Sequence, residues 1–198
     1  MKVETYVLGP IATNTYLLRE GNDVLLIDPA SKAEKLIDII GNSNLIGILL
    51  THGHFDHIKA VDGLYNKYNC PVYLQEEDEE LARDKYSGAD FGLVSYITCP
   101  IVKVKEGRLS VGPFDIDVFY TPGHTEGSVI YVIDDCIFTG DTLFNGSIGR
   151  TDLKGGDARK LKDSLRIFKE FDKNYTIYPG HDCSSNLYEE LANNYYLK

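Results

Sequence analysis

Basic residues are in short supply in this 198-residue chain: 20 lysines and arginines stand against 30 aspartates and glutamates, a formal net charge of −10. Binding a phosphate backbone needs clustered Lys and Arg, so the charge argues against nucleic acid as the main partner, and against adhesion to an anionic membrane surface. The acidity is read as a means of staying in solution. No secretory signal opens the chain, and no apolar run is long enough to span a bilayer. The four cysteines, Cys70, Cys99, Cys136 and Cys183, are widely spaced and form no C-x-x-C pair. They are read as reduced thiols of a cytoplasmic protein. Cys183, two residues past His181, can approach a site there, although a small buried apolar residue is the plainer reading. No repeat and no linker interrupts the sequence, and its length suits one domain over residues 1–198.

Histidine is scarcer still, with five copies, and their placement is uneven. Three of them share Thr51-His52-Gly53-His54-Phe55-Asp56-His57 with an aspartate. The other two each follow a Pro-Gly pair, in Thr121-Pro122-Gly123-His124 and Tyr178-Pro179-Gly180-His181. Each of these loops follows an apolar or aromatic segment. Imidazole is the commonest metal ligand on proteins, and loops at strand ends are where a rigid scaffold holds reactive groups. A lone histidine is more often a surface or hydrogen-bonded residue than a ligand. Ligand-type side chains packed this densely repel or desolvate one another unless a cation holds them. The stretch is read as a metal site.

Residues 3–8, 15–19 and 24–27 read as strands, with Gly9-Pro10 and Gly21-Asn22-Asp23 between them. Asn14 is open between a turn residue and a buried hydrogen-bonding one. Ala33, Leu36, Ile37 and Ile40 mark a helix that ends near Gly41. Residues 45–50 are too continuously apolar for a strand with one wet face, so they read as a central strand delivering the histidine cluster. A helix is expected from Asp56-His57 to Cys70-Pro71, then a short strand over 72–74. The acidic run Glu76-Glu77-Asp78-Glu79-Glu80 is read as a solvated helix start. Residues 87–100 are irregular and are expected to border the site. A second block of strands covers 101–104, 109–111, 114–120, 128–133 and 136–139, with Asp134-Asp135 as a tight turn. A long loop over 142–156 leads to a helix with Leu161, Leu165 and Phe168 on one face, a strand over 176–178 and a closing helix near 186–195. Two strand blocks flanked by helices predict an α/β (α+β) fold, a four-layered αββα sandwich.

The cluster His52, His54, Asp56, His57, followed by Gly123-His124, Gly140-Asp141 and Gly180-His181, resembles the metal-binding signature of the metallo-β-lactamase superfamily across essentially the whole chain. The resemblance implies two divalent ions. One would be held by His52, His54 and His124, the other by Asp56, His57 and His181, with Asp141 bridging. Asp56 and Asp141 are then the expected catalytic carboxylates. Zinc is the first expectation, since it suits three imidazoles and an open position for water, with iron or manganese as alternatives. Two dications and a hydroxide against two aspartates leave about one net positive charge, which suits an anionic substrate. Asp28 resembles the superfamily's first motif and is open between fixing a ligand imidazole and a structural turn.

Within the superfamily, residues 121–128, 138–144 and the loop Gly146-Ser147-Ile148-Gly149-Arg150-Thr151-Asp152 are similar to the short bacterial and archaeal branch of glyoxalase II enzymes. These hydrolyse S-2-hydroxyacylglutathione thioesters. The longer enzymes add a helical C-terminal substrate domain, which is not expected here, where 17 residues follow His181. They also place a Lys and, two residues later, a Tyr against glutathione, where this chain has Arg150 and Asp152. Arg150 can pair with a substrate carboxylate or serve as a loop salt bridge, whereas Asp152 would repel a carboxylate. The alternative function is a persulfide dioxygenase, which the Gly-Arg-Thr-Asp loop also resembles, with one iron on His52, His124 and Asp141. A non-catalytic metal-binding scaffold ranks lower.

Overall fold

The structure, a computed structural model, describes residues 1–198. Six strands form the first sheet in chain order: β1 (Lys2–Leu8), β2 (Thr13–Glu20), β3 (Asp23–Ile27), β4 (Asn44–Leu49), β5 (Val72–Gln75) and β6 (Val102–Val104). β1 to β3 are antiparallel, and β3 to β6 run parallel. Next come β7 (Gly107–Val111), β8 (Phe114–Tyr120), β9 (Val129–Ile133) and β10 (Cys136–Gly140), a small ribbon of β11 (Leu143–Phe144) and β12 (Ser147–Ile148), then β13 (Thr176–Pro179) and β14 (Ser185–Asn186). The second six-stranded sheet has the order β14-β13-β10-β9-β8-β7.

Successive side chains of a strand point to opposite faces, and both faces of these strands are apolar. Leu17, Val24, Leu26, Ile48 and Leu50 face helices α1 (Ala33–Ile40) and α3 (Val61–Tyr68), which contribute Leu36, Ile40, Val61 and Leu64. Their neighbours Leu18, Leu25, Ile27 and Leu49 face the other sheet and meet Ile116, Val118, Tyr131 and Phe138. Ile130, Val132 and Ile137 point outward from the second sheet against Leu165, Phe168 and Leu187. The last three come from the turn after α5 (Ala158–Ser164) and from α6 (Leu187–Asn193). Three apolar interfaces separate four layers, so the αββα expectation holds. None of the helices is long and apolar enough to cross a membrane.

Local expectations fail where the pairing is not local. Residues 101–104 fall in the first sheet, because β6 pairs with β5 and not with β7. The helix expected from Asp56 onward is two, α2 (Phe55–Ile58) and α3, since Ala60 N donates to Pro29 O instead of continuing the first helix. The 142–156 loop contains the β11–β12 ribbon, and β14 extends the second sheet before Asn186 caps α6. The acidic run does start a helix, α4 (Glu79–Arg83), but Asp78 is buried at 1% exposure and is no part of a solvated face.

Candidate metal centre

β3, β4, β8, β10 and β13 all end on the same rim of the sandwich, and each hands over to one motif. The parallel pairs β3–β4 and β10–β13 put Asp28 beside the His52 loop, and Asp141 beside His181. Asn14 on β2 settles as a buried hydrogen-bonding residue. Its side chain donates to Pro179 O and Asp182 O, both at 2.9 Å, and its backbone N donates to Gly180 O, so it pins the loop carrying His181.

The imidazoles are oriented from behind. His57 Nδ1 donates to Asp28 Oδ2 at 2.9 Å, and His124 Nδ1 donates to Arg150 O at 2.7 Å. Thr51 Oγ1 donates to Asp28 Oδ2 at 2.6 Å, which leaves it to accept from His52 Nδ1 at 3.0 Å. This network assigns the proton of all three rings to Nδ1 and turns the Nε2 lone pairs toward a common centre. There, His52 Nε2, His57 Nε2 and Asp141 Oδ1 are buried with no hydrogen-bond partner, and His54 Nδ1 meets His124 Nε2 at 2.9 Å. Buried polar atoms are rarely left unpaired, and these are all donors a divalent ion accepts, so the residues fit a metal.

The donor atoms of His52, His54 and His124 lie within 4.8 Å of one another, and so do those of Asp56, His57 and His181. Asp28, His52 and His57 satisfy the same criterion. Asp28 nevertheless lies behind the rings, its carboxylate filled by Thr51 N, Thr51 Oγ1 and His57 Nδ1. It also has a left-handed φ of 49°, so it serves both as a turn and as an orienting group. Asp141 sits between the two triads. Its Oδ1 is 3.4 Å from His57 Nε2, and its Oδ2 is 3.4 Å from His124 Nε2 and 3.5 Å from His181 Nε2.

Burial holds His52 well below the usual histidine pKa and His54 at about 3, so both stay neutral, as ligands must. Burial opposes charge on His57 and His181 too, but the facing carboxylates outweigh it. Asp56, Asp141 and Asp28 lift His57 well above its ordinary value, while Asp141 and Asp56 lift His181 to about 9. Burial likewise works against the charged form of Asp56 and Asp141, yet the neighbouring imidazoles hold Asp56 at about 2 and Asp141 lower than usual. The carboxylates at this centre call for positive charge beside them.

The sequence profile of the Metallo-beta-lactamase superfamily matches residues 8–181. The chain belongs to that superfamily. It is 35% identical to "Probable metallo-hydrolase YqgX" of Bacillus subtilis, over 100% of this chain and 98% of that protein. The crystal structure of BLEG-1 B3 metallo-beta-lactamase superposes with a TM-score of 0.93 at 34% identity, covering 100% of both chains. TTHA1623 in a di-iron-bound form gives 0.91 at 34% identity, covering 98% of this chain and 100% of that one. In broad terms this metallo-beta-lactamase superfamily member is a metal-dependent hydrolase.

Around these donors, a cavity of about 100 Å³ is walled by Ile11, Phe55, Phe91, Arg150 and Leu153 as well. Phe91 places the irregular 87–100 stretch at the site, as expected from its sequence. Arg150 reaches the rim, but its Nε and Nη2 donate to Asp152 at 2.7 and 2.8 Å, and its backbone oxygen orients His124. That backbone role was not legible from the side chain. A groove of about 500 Å³ adjoins the cavity, sharing Ile11 and His181 with it and running along Val7, Tyr16 and Tyr178. Cys183 lines this groove and is exposed, against the expectation of a buried apolar residue.

Proposed function

We propose that the protein is a binuclear metal-dependent thioesterase, cleaving a small anionic acyl thioester of the S-2-hydroxyacylglutathione type. The observation that carries this reading is the pair of complete donor triads with Asp141 between them. His52, His54 and His124 would hold one ion, Asp56, His57 and His181 the other, and Asp141 would touch both. When bound, such ions would supply a water of pKa roughly 7 and polarisation of a carbonyl oxygen. The chain's own contribution is orientation. Thr13 Oγ1 donates to Asp56 Oδ2 at 2.8 Å, Asp28 fixes His57, and Arg150 O fixes His124.

The small cavity suits an acyl group, and the adjoining groove offers apolar walls to the thiol portion of a thioester. Asp28, behind the rings, is a third carboxylate and would bring the formal charge of a loaded centre to about zero. Attraction for an anion therefore falls to Arg150, which keeps Nη1 free of protein hydrogen bonds and would turn from Asp152 to take a substrate carboxylate. Arg150→Ala is expected to raise KM for an anionic thioester several-fold and to change kcat less, because uniform binding is lost. An unchanged KM would leave Arg150 with its loop pairing alone.

Zinc suits three imidazoles with an open position for water and needs no redox change for hydrolysis, and the di-iron form of TTHA1623 keeps iron in view. Zinc-loaded protein is expected to hydrolyse small acyl thioesters under strict anoxia and to surpass its rate on β-lactams, assayed as a control for the likeness to BLEG-1. A single-iron persulfide dioxygenase would need only His52, His124 and Asp141, so the assembled second triad supports hydrolysis. Activity confined to iron-loaded protein, with oxygen consumed against glutathione persulfide, would overturn the thioesterase.

A further inference from the structure

The acidic turn between β5 and α4 reaches the centre through one residue that belongs to neither triad. Glu76, Glu77 and Glu80 are exposed, but Asp78 points inward. Its Oδ2 accepts from Gly53 N and from Thr125 Oγ1, each at 2.7 Å, and its Oδ1 accepts from Gly127 N at 2.7 Å. Gly53 lies between His52 and His54, and Thr125 follows His124. One carboxylate thus ties together the two loops that carry all three imidazoles of the first triad. No hydrogen bond joins it to Asp56, His57 or His181.

Both loops are also seated on the backbone of this turn. A Cβ on Gly53 would stand 2.7 Å from Asp78 O, and one on Gly127 would stand 2.7 Å from Asp78 N. Neither loop has room to move closer, and the three hydrogen bonds keep either from moving away. A buried carboxylate with no cation beside it is costly unless its acceptors are filled, and here the filling groups are the ligand loops themselves.

We propose that Asp78 is a positioning residue, fixing the spacing of His52 and His54 against His124 and so setting the affinity of the first triad for its ion, while the second triad is left unaffected. The inference rests on the two-ion reading above. Outer partners of metal ligands typically contribute 10- to 100-fold in metal affinity. Asp78→Asn keeps the shape but turns an amide N–H₂ toward at least one of the three donors.

The test is a competitive zinc titration of the full chain that resolves both affinities, with cobalt(II) absorption reporting which site fills. Asp78→Asn is expected to weaken one ion by roughly 10- to 100-fold and leave the other within about twofold. The cobalt band lost should be that of the three-imidazole site. Asp62→Asn is the structural control, since Asp62 also accepts three groups, Thr98 N, Thr98 Oγ1 and Cys99 N, away from the donors. It should lower the melting temperature without changing either affinity. Thr125→Val removes one of the three bonds and should weaken the same ion by less, which keeps the test available if Asp78→Asn does not fold. Affinities that stay put, or fall together, in both variants would overturn the proposal. Wild-type protein holding a single ion would refute the two-ion reading instead. Asp78 would keep its role in that case if that ion still weakened in Asp78→Asn and not in Asp62→Asn.

Discussion

Asp141→Asn is expected to cut thioester hydrolysis by a hundredfold or more in a correctly folded protein. The substitution is nearly isosteric, so the loss would report chemistry and not packing. Asp141 turns one oxygen toward His57 and the other toward His124 and His181, and it is the one carboxylate placed between the triads. An amide can offer one oxygen but not two, and it removes a negative charge from between two proposed cations. Losing an outer partner of a metal ligand alone costs about 10- to 100-fold, so a group touching both ions should cost at least the upper end. The check is kcat at saturating zinc, with circular dichroism and metal content measured on the same sample. Near-normal turnover with two ions bound would remove Asp141 from the bridging position.

That the donors were legible in the sequence follows from their chemistry. Imidazoles and carboxylates in short loops have few other reasons to crowd, and the apolar runs before them fixed which strand ends would carry them. The four layers were legible as well, from two strand blocks flanked by helices and from the run Leu45 to Leu50, too continuously apolar for a strand with one wet face. What escaped depends on direction or on distant pairing. Asp78 sat in a charge run that looked solvated, yet it shares an i, i+3, i+4 face with the buried Leu81 and Ala82, and that spacing was the available signal. Arg150 was noticed for its guanidinium, while its carbonyl does the orienting of His124, and backbone roles leave no trace in residue type. β6 went to the wrong sheet because a three-residue strand carries no information about its neighbour.

Stripping the metal is expected to lower the melting temperature by roughly 10 °C or more per ion and to make the remaining stability fall as pH rises. An ion present at about a thousand times its Kd adds about 4 kcal/mol, and each kcal/mol moves the midpoint of a chain this size by about 2–4 °C. The pH dependence follows from what replaces the ions. In the stripped protein, charged His57 and His181 must serve as the positive partners of Asp56 and Asp141. Burial lowers both imidazoles, but the carboxylates prevail and lift His57 well above its ordinary value and His181 to about 9. A pKa raised by folding contributes stability that is fully present below the unfolded value, about 6.5, and is lost as pH climbs through the folded one. The stripped protein should therefore lose stability between about pH 6.5 and 9, whereas the loaded protein should not lose it there, since ligation already keeps its imidazoles neutral. On the acid side Asp56, held at about 2, contributes stability above about 3.8 that is lost as pH falls through about 2. Calorimetry of loaded and chelator-treated protein across that range reads both effects. Equal midpoints would mean that no ion is held at this centre, and parallel slopes would mean that the imidazoles do not take over the positive charge.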